Sequence, residues 1–243
     1  MPSRVVTAIR THLFHDVPND YEHYHELIRD QLRPGMRVLD VGCGRGLLAP
    51  FPWADYPNVT VDGLDPDPSA ATNPALSHFY RLTECNSWPV SDGAYDLVVC
   101  RYVLEHLASP ETFFVNLRCA LKPGGRFIFL TPNVRHPAMQ ISRVLSHGAK
   151  ATILGRTGAA DEADVFPTCY RANSRERIAK LAAVAGLVSE HCDCSEWQPV
   201  RYGDFSFPTF LPALLFYEAL HALPALDRTY GASITGVCRK PLQ

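Results

Sequence analysis

Residues 38–46, VLDVGCGRG, carry an apolar stretch into three alternate glycines, Gly42, Gly44 and Gly46. Without Cβ atoms such a turn lets a ligand lie against the backbone itself. A dinucleotide site would read G-x-G-x-x-G and rest a pyrophosphate on a helix N-terminus. Here the third glycine of that frame falls on Leu47, and the spacing is G-x-G-x-G. Asp40 stands two residues before the first glycine. An acid there suits a ligand with a positive group better than a diphosphate. A second acid, Asp65, closes the next apolar stretch, VTVDGLD. A carboxylate at a strand end can accept both hydroxyls of a ribose, so the two acids and the turn read together as a nucleoside site.

Such a site needs strands that end at one edge. Val38–Val41, Val59–Leu64, Asp96–Cys100, Phe127–Leu130 and Ile234–Cys238 read as short buried strands. Helical patterns lie between them at Tyr21–Leu32, Pro110–Leu121 and Ser174–Ala185, the last capped by Asn173 or Ser174 and stopped by Gly186. Alternating strands and helices predict an α/β domain with a parallel sheet covered on both faces. Leu121–Gly125, LKPGG, reads as a type II turn that delivers a helix into the FIFL strand. Two stretches interrupt the alternation. One runs from Thr131 to Thr168 and contains GRTGAADEAD, which reads as mobile. The other, residues 196–230, separates the last two strands.

Composition narrows the partners. The 243 residues carry a net charge of −2, and no basic run of five or more appears, so nucleic acid is not expected. Eight cysteines, several in apolar strand-like runs, read as small buried hydrophobes, and no C-x-x-C pair occurs. His191-Cys-Asp-Cys194 alternates like a plain strand rather than a zinc site. The N-terminus lacks the apolar core and cleavage site of a signal peptide, so a reduced, cytoplasmic protein is expected. Phe205–Leu226 is as long as a membrane span, but Glu218, His221, Pro208, Pro212 and Pro224 interrupt it. The prolines predict short pieces forming a wall over an apolar substrate or a homodimer interface, with plain burial against the sheet as the alternative.

The motifs together resemble the class I S-adenosylmethionine-dependent methyltransferases, of the small-molecule type that includes the ubiquinone-biosynthesis enzymes. VLDVGCGRG matches the glycine motif and GLDPD the acidic strand end. ECNSWPVSDGAYDLVVC matches the adenine loop with the fourth strand, and LKPGGRFIFLTPN the fifth strand. The resemblance covers residues 20 to 195, with Ile234–Lys240 as the closing strand. It implies one Rossmann-like domain over residues 1–243: a doubly wound seven-stranded sheet, mostly parallel, with an antiparallel last strand and helices on both faces. Residues 1–33 would form an N-terminal lid, and 131–170 and 196–230 would be insertions forming a substrate lid or an interface.

It also implies roles. Asp40 would hold the methionine ammonium of S-adenosyl-L-methionine, and Gly42, Cys43, Gly44 and Gly46 would pack against its methionine and ribose. Asp65 would take the ribose hydroxyls, with Pro66 beside the adenine. Glu84, where the family usually has Asp, would face the adenine amino group, and the Cys85 amide a ring nitrogen. Cys100 and Arg101 would line the methionine end. The segment Arg101–His106 supplies the catalytic candidates, Arg101, Tyr102 and His106, with His106 as the general base. The ubiquinone-type enzymes read E-x-x-E-H here and associate it with a metal; Tyr102 in place of the first Glu argues for no metal.

Substrate contacts are expected from Tyr21 and Tyr24, which with His12, Phe14, His15 and His25 crowd the N-terminal segment. Asn133, Arg135 and His136 after the fifth strand, and Tyr170 and Arg171 at the close of the long excursion, are further candidates. Three classes of function stay open: a methyltransferase acting on a small molecule, most simply at oxygen; an enzyme that binds the same cofactor for a non-methylating reaction; and a scaffold without turnover, which the intact motifs disfavour.

Overall fold

The computed structural model describes residues 3–47, 49–83, 87–144, 167–201, 204 and 206–242. Helices α1 (Arg4–Phe14) and α2 (Asp20–Gln31) precede β1 (Arg37–Val41), β2 (Thr60–Asp65), β3 (His78–Arg81) and β4 (Tyr95–Arg101). Then follow α3 (Pro110–Ala120), β5 (Leu121–Pro132), α4 (Pro137–Val144), α5 (Arg175–Val184), β6 (Val188–Ser195), α6 (Phe207–Ala222), α7 (Pro224–Tyr230) and β7 (Ser233–Arg239). The seven strands form one sheet in the order β3-β2-β1-β4-β5-β7-β6. Pairs β2–β3, β1–β2, β1–β4 and β4–β5 are parallel. At the β5 edge the backbone bonds Gly124 N to Lys240 O, Lys240 N to Gly125 O and Asn133 N to Ala232 O run in opposite senses along the two chains, so β7 is antiparallel. This is the expected doubly wound sheet. Chain order reverses between β1 and β4, the switch point where ligands of open α/β sheets bind.

The register sorts the side chains. Asp40 pairs with Gly63 on one side and with Val99 on the other. Val38, Val61, Leu97, Val99, Ile128 and Leu130 therefore share one face, and α2 covers it with Tyr24 and Ile28, joined by Leu32 just past its end. The stripe at 21, 24, 25, 28 and 32 has the spacing of one helix side. On the opposite face Phe127 and Phe129 stack at 5.4 Å, and Phe113 and Phe114 of α3 meet Phe127 edge to face or tilted.

The chain divides into two compact units. One holds residues 21–131, 169–192 and 235–243, with most of the sheet; the other holds 1–20, 132–168 and 193–234. The described residues of 196–230 thus share a unit with the first helix. Within it Val6 and Phe14 of α1 pack with Phe210 and Tyr217 of α6, and Phe14 meets Tyr217 edge to face at 5.2 Å.

Three local expectations change. The LKPGG turn is absorbed into β5, whose register shifts between Tyr95 and Leu97, while Gly124 keeps the positive φ of 79° that the turn demands. The prolines do not fragment α6. Pro208 sits in its first turn, where no intrahelical N–H donor is needed, and the helix runs through Pro212 for 16 residues. Phe210 and Tyr217, on either side of Pro212, are both buried. The aromatic cluster of the N-terminal segment divides between two helices. Phe14 is buried in the second unit and His12 and His15 are exposed on α1, whereas Tyr21, Tyr24 and His25 belong to α2. Among the described residues no helix is long and apolar enough to cross a membrane.

Candidate functional site

The glycine turn leaves β1 at the switch point and is held by the second acid. Asp65, last residue of β2, accepts the Gly44 amide on Oδ2 at 2.9 Å and the Asp67 amide on Oδ1 at 2.8 Å. Gly42 N donates to Leu64 O at 2.7 Å, so the turn grows directly out of the β1–β2 ladder. Gly42, Gly44 and Gly46 all have positive φ, at 72°, 48° and 72°. A Cβ on Gly42 would lie 2.3 Å from Val103 Cγ2, and one on Gly46 2.8 Å from Asn73 Oδ1; at Gly44 it would meet nothing within 4 Å. The turn is therefore gripped on two sides and open at its centre, a cradle that side chains would fill.

Asn73 was not apparent in the sequence. Its Nδ2 donates to the carbonyls of Cys43 and Gly44 at 3.2 and 3.1 Å. No motif marks it, because it reaches the turn from the far end of the β2–β3 connection.

The electrostatics suit a cationic ligand. Burial pushes the half-buried Asp40 carboxyl up to about 7; Arg101 draws it down and Asp65 pushes it further up. Asp65 is also raised by burial, against the pull of the Gly44 and Asp67 amides. Burial pushes the Cys43 thiol up. A carboxylate held away from water is one that a positive group would stabilise.

α2 supplies the wall. The Arg101 guanidinium lies 4.9 Å from the centre of the Tyr21 ring, and Tyr21 meets Tyr102 edge to face at 5.7 Å. Arg101 also donates to the Ala49 carbonyl. Tyr24 is buried against the sheet, and burial followed by the Asp40 charge raises its phenol. Burial, reinforced by Arg101, lowers His25 to about 4, so its imidazole is neutral at physiological pH. Tyr102 and Tyr170 hold left-handed backbone, at φ 55° and 51°, a strain of about 1–3 kcal/mol each that clusters at functional sites.

After β4 the chain turns through Leu104–His106. Glu105 is buried and points inward: its Oε2 accepts Thr131 Oγ1 at 3.1 Å, and Thr131 in turn accepts Asn173 Nδ2 at 2.6 Å. The Glu105 carbonyl takes the amides of Cys169 and Tyr170 at 2.7 and 3.0 Å. Burial pushes the Glu105 carboxyl up to about 7, against the Thr131 bond. His106 is partly exposed, with Nε2 4.0 Å from Glu105 Oε1. In this segment Tyr102 stands in place of one acid and packs its ring on Tyr21, and Glu105 is engaged with β5. Among the described residues no three His, Cys, Asp or Glu side chains gather as metal ligands.

The other expectations divide. Pro66 is exposed beside Asp65, and Tyr170 is half-buried. Arg171 donates to Ala108 O at 2.7 Å, pinning the chain after Tyr170 to the loop after His106. Cys100 is fully buried on the face opposite Asp40, so only its backbone can line a site. Asn133 and His136 belong to the second unit and are each 2% exposed. Asn133 gives its amide to Thr229 O and Gly231 O, both at 2.9 Å, and its Oδ1 takes the Arg135 amide. His136 Nδ1 takes the Ala138 amide, and its Nε2 faces Glu196 at 3.2 Å. Both are buried within that unit and engaged by residues remote in sequence, in place of the open substrate contacts expected. Arg135 is exposed. Glu84, Cys85 and the GRTGAADEAD stretch lie outside the described residues.

Comparison with known proteins gives a family. The model of the methyltransferase domain matches residues 13–191. A ubiquinone biosynthesis O-methyltransferase of Rickettsia conorii is 36% identical over 102 residues, 40% of this chain and 35% of that protein. Across the first three curated relatives the matches span 35% to 52% of their length. Phosphoethanolamine N-methyltransferase 2 of Haemonchus contortus, solved with S-adenosyl-L-methionine, superposes with a TM-score of 0.55 at 16% identity, over 90% of this chain and 52% of that one. The 4+2 cyclase SpnF superposes at 0.58 and 19%, over 91% and 82%. At these identities the two structures share the fold.

Proposed function

Because the chain belongs to the class I S-adenosylmethionine-dependent methyltransferases, we propose that it transfers a methyl group to a small-molecule acceptor, most simply at an oxygen. The observation that carries this reading is the turn between two acids: Asp40 and Asp65 end neighbouring strands, and Asp65 itself holds Gly44. The residues fit the cofactor. Asp40 offers a half-buried carboxylate to an ammonium, Asp65 has lone pairs beyond those its two amides use, and the glycines leave the backbone bare. When bound, S-adenosylmethionine supplies a methyl group already activated on a sulfonium. Asp40 would then hold the amino-acid tail and Asp65 the ribose, and the resemblance gives the adenine to Glu84 and Cys85, which lie outside the described residues.

What the chain contributes to the chemistry is chiefly position, worth up to roughly 7–11 kcal/mol when reacting atoms are held in line. His106 is the candidate to take the proton of a hydroxyl acceptor, worth about 10²–10⁴-fold. Tyr21, Tyr170 and Arg171 are the substrate candidates that keep exposed or half-buried surface in the sheet unit. Similarity to a ubiquinone O-methyltransferase supports oxygen over nitrogen or carbon, and fits tailoring of a lipid, a glycan or a secondary metabolite.

The test is mass spectrometry of the purified chain given methyl-labelled S-adenosylmethionine and a cell extract. A labelled product with its methyl on oxygen is expected. Consumption of an acceptor with no label moved would point instead to a non-methylating reaction, as the cyclase with this fold illustrates.

A further inference from the structure

Gly42, Gly44 and Gly46 leave β1 in series at positive φ, and glycine has more backbone freedom to lose than any other residue, so this turn needs something to hold it. The hold is on Gly44. Asp65 Oδ2 accepts the Gly44 amide at 2.9 Å, and Asn73 Nδ2 donates to the Gly44 carbonyl at 3.1 Å and to the Cys43 carbonyl at 3.2 Å. Side chains thus take both polar groups of one glycine, while the place of its missing Cβ stays open to 4 Å. Gly46 differs. A Cβ there would lie 2.8 Å from Asn73 Oδ1 and 3.1 Å from Asn73 Nδ2, so the third glycine is bare to admit Asn73.

Asn73 can anchor the turn because it is itself fixed. It is 7% exposed; its Oδ1 accepts the Ala75 amide at 3.1 Å, its own amide donates to Ala70 O at 3.0 Å, and its carbonyl accepts the Leu76 amide at 3.3 Å. The chain between Asp65 and Asn73 is short and braced. Asp67 donates its amide to Asp65 Oδ1 at 2.8 Å and takes the Ser69 amide and hydroxyl, both at 2.8 Å, at the start of the 3₁₀ turn Pro68–Thr72. Residues 65–73 therefore form a bracket with both ends on Gly44. We infer that Asn73 is a positioning residue for the cofactor, acting through the turn. By fixing the carbonyls of Cys43 and Gly44 it sets the turn in its binding shape before the ligand arrives, so that ordering three glycines does not weaken binding. This rests on the reading of the site as one for S-adenosylmethionine.

Two variants of the full chain test it at pH 8, by calorimetry with S-adenosylmethionine, thermal melting and amide hydrogen exchange. Asn73→Ala removes the donor and the acceptor together. Asn73→Asp keeps the shape and the acceptor for Ala75, but turns an oxygen toward the two carbonyls in place of the donor. Affinity should fall roughly five- to thirtyfold in Asn73→Ala and at least as far in Asn73→Asp. The melting temperature of either should drop by only about 2–4 °C. Without ligand, exchange should quicken at residues 42–46 while the amides of β4 and β5 keep their native rates. An Asn73→Asp variant that binds like the native chain would show that Asn73 only fills space, and overturns the inference. So does native affinity in Asn73→Ala, or the failure of both variants to fold; each of these leaves the cofactor reading standing. A native chain that binds no S-adenosylmethionine overturns the cofactor reading and the inference together.

Discussion

Asp62 and Asp65 lie on the same strand, both buried, and the chain surrounds them differently. Asp62 Oδ2 accepts Arg37 Nε at 2.9 Å, Arg37 Nη2 at 2.7 Å and Tyr95 OH at 3.0 Å, and the Arg37 guanidinium also lies 5.1 Å from the centre of the Tyr95 ring. Close by, Asp96 Oδ2 takes the Arg37 amide and Lys122 Nζ. Among the described residues Asp65 receives only backbone amides, those of Gly44 and Asp67, and both it and Asp40 are pushed upward by burial. At Asp62 the charge is countered on Oδ2 by side chains already in place, while Oδ1 takes no hydrogen bond from the described residues. At Asp65 and Asp40 it is countered incompletely, and bare glycine backbone lies alongside. A buried acid closed by its own neighbours holds a fold together; one left to amides and a single arginine is prepared for a ligand.

The largest effect should come from the closed end. Asp62→Ala strands a buried phenol and a partly exposed guanidinium, at a cost of about 3 kcal/mol, which lowers the melting temperature by roughly 6–12 °C for a chain of this size. Calorimetry on the folded fraction should find cofactor affinity within about twofold of native. The reverse pattern, affinity lost and stability kept, would erase the distinction.

Asp65→Ala should do the opposite. It removes charge-assisted hydrogen bonds to the ribose worth about 1.5–3 kcal/mol, so affinity falls roughly ten- to a hundredfold while the melting temperature moves less than in Asp62→Ala. Unchanged affinity for S-adenosylmethionine would contradict Asp65's role.

Smaller is the pH dependence. The folded pKa of Asp40, about 7, lies above its ordinary value of 3.8. The native state therefore binds this proton more tightly than the unfolded chain, and the stability this confers, fully present below about pH 4, is lost as pH rises toward 7. Asp40→Asn removes the titration. Its melting temperature should match native near pH 4 and exceed it at pH 8. Glu105 is raised in the same sense and stays in both proteins, so the difference between them reports Asp40 alone. Parallel melting curves across that range would mean Asp40 is well solvated.

The last expectation is no effect at all. With Tyr102 in place of one acid and Glu105 bonded to Thr131, the open end has its cation in Arg101, and methyl transfer should survive exhaustive chelation. A rate that collapses and returns with Mg²⁺ or Zn²⁺ would place a metal there.

Legibility in the sequence followed chain distance. The strands β1, β2, β4 and β7 and the helices α2, α3 and α5 were readable because each is defined by its own periodicity and punctuation. Ser174 caps α5 through a bond to the Arg177 amide, and Gly186 follows its end at φ 78°. The phenylalanines of α6 show the limit. Phe207 and Phe210 look alike in a stretch apolar all round, yet Phe207 is 42% exposed and Phe210 fully buried. Burial there depends on α1, some two hundred residues earlier, with Arg10 lying 5.0 Å over the Phe210 ring. Asn133 and His136 misled for the same reason: their position after β5 suggested a ligand, and their partners at 229, 231 and 196 are remote in sequence.

By itself the sequence determined a strand, a bare glycine turn and two acids at neighbouring strand ends, because all of these lie within a single β-loop-β passage whose geometry is local. Tertiary structure alone decided which charges meet. The order of β1 beside β4 set Arg101 next to Asp40, the β2–β3 connection brought Asn73 onto the turn, and β5 drew Glu105 inward through Thr131. Each of these pairs joins residues separated by at least 26 positions, and at that range a side chain's neighbours follow from strand order and register, which no local pattern encodes.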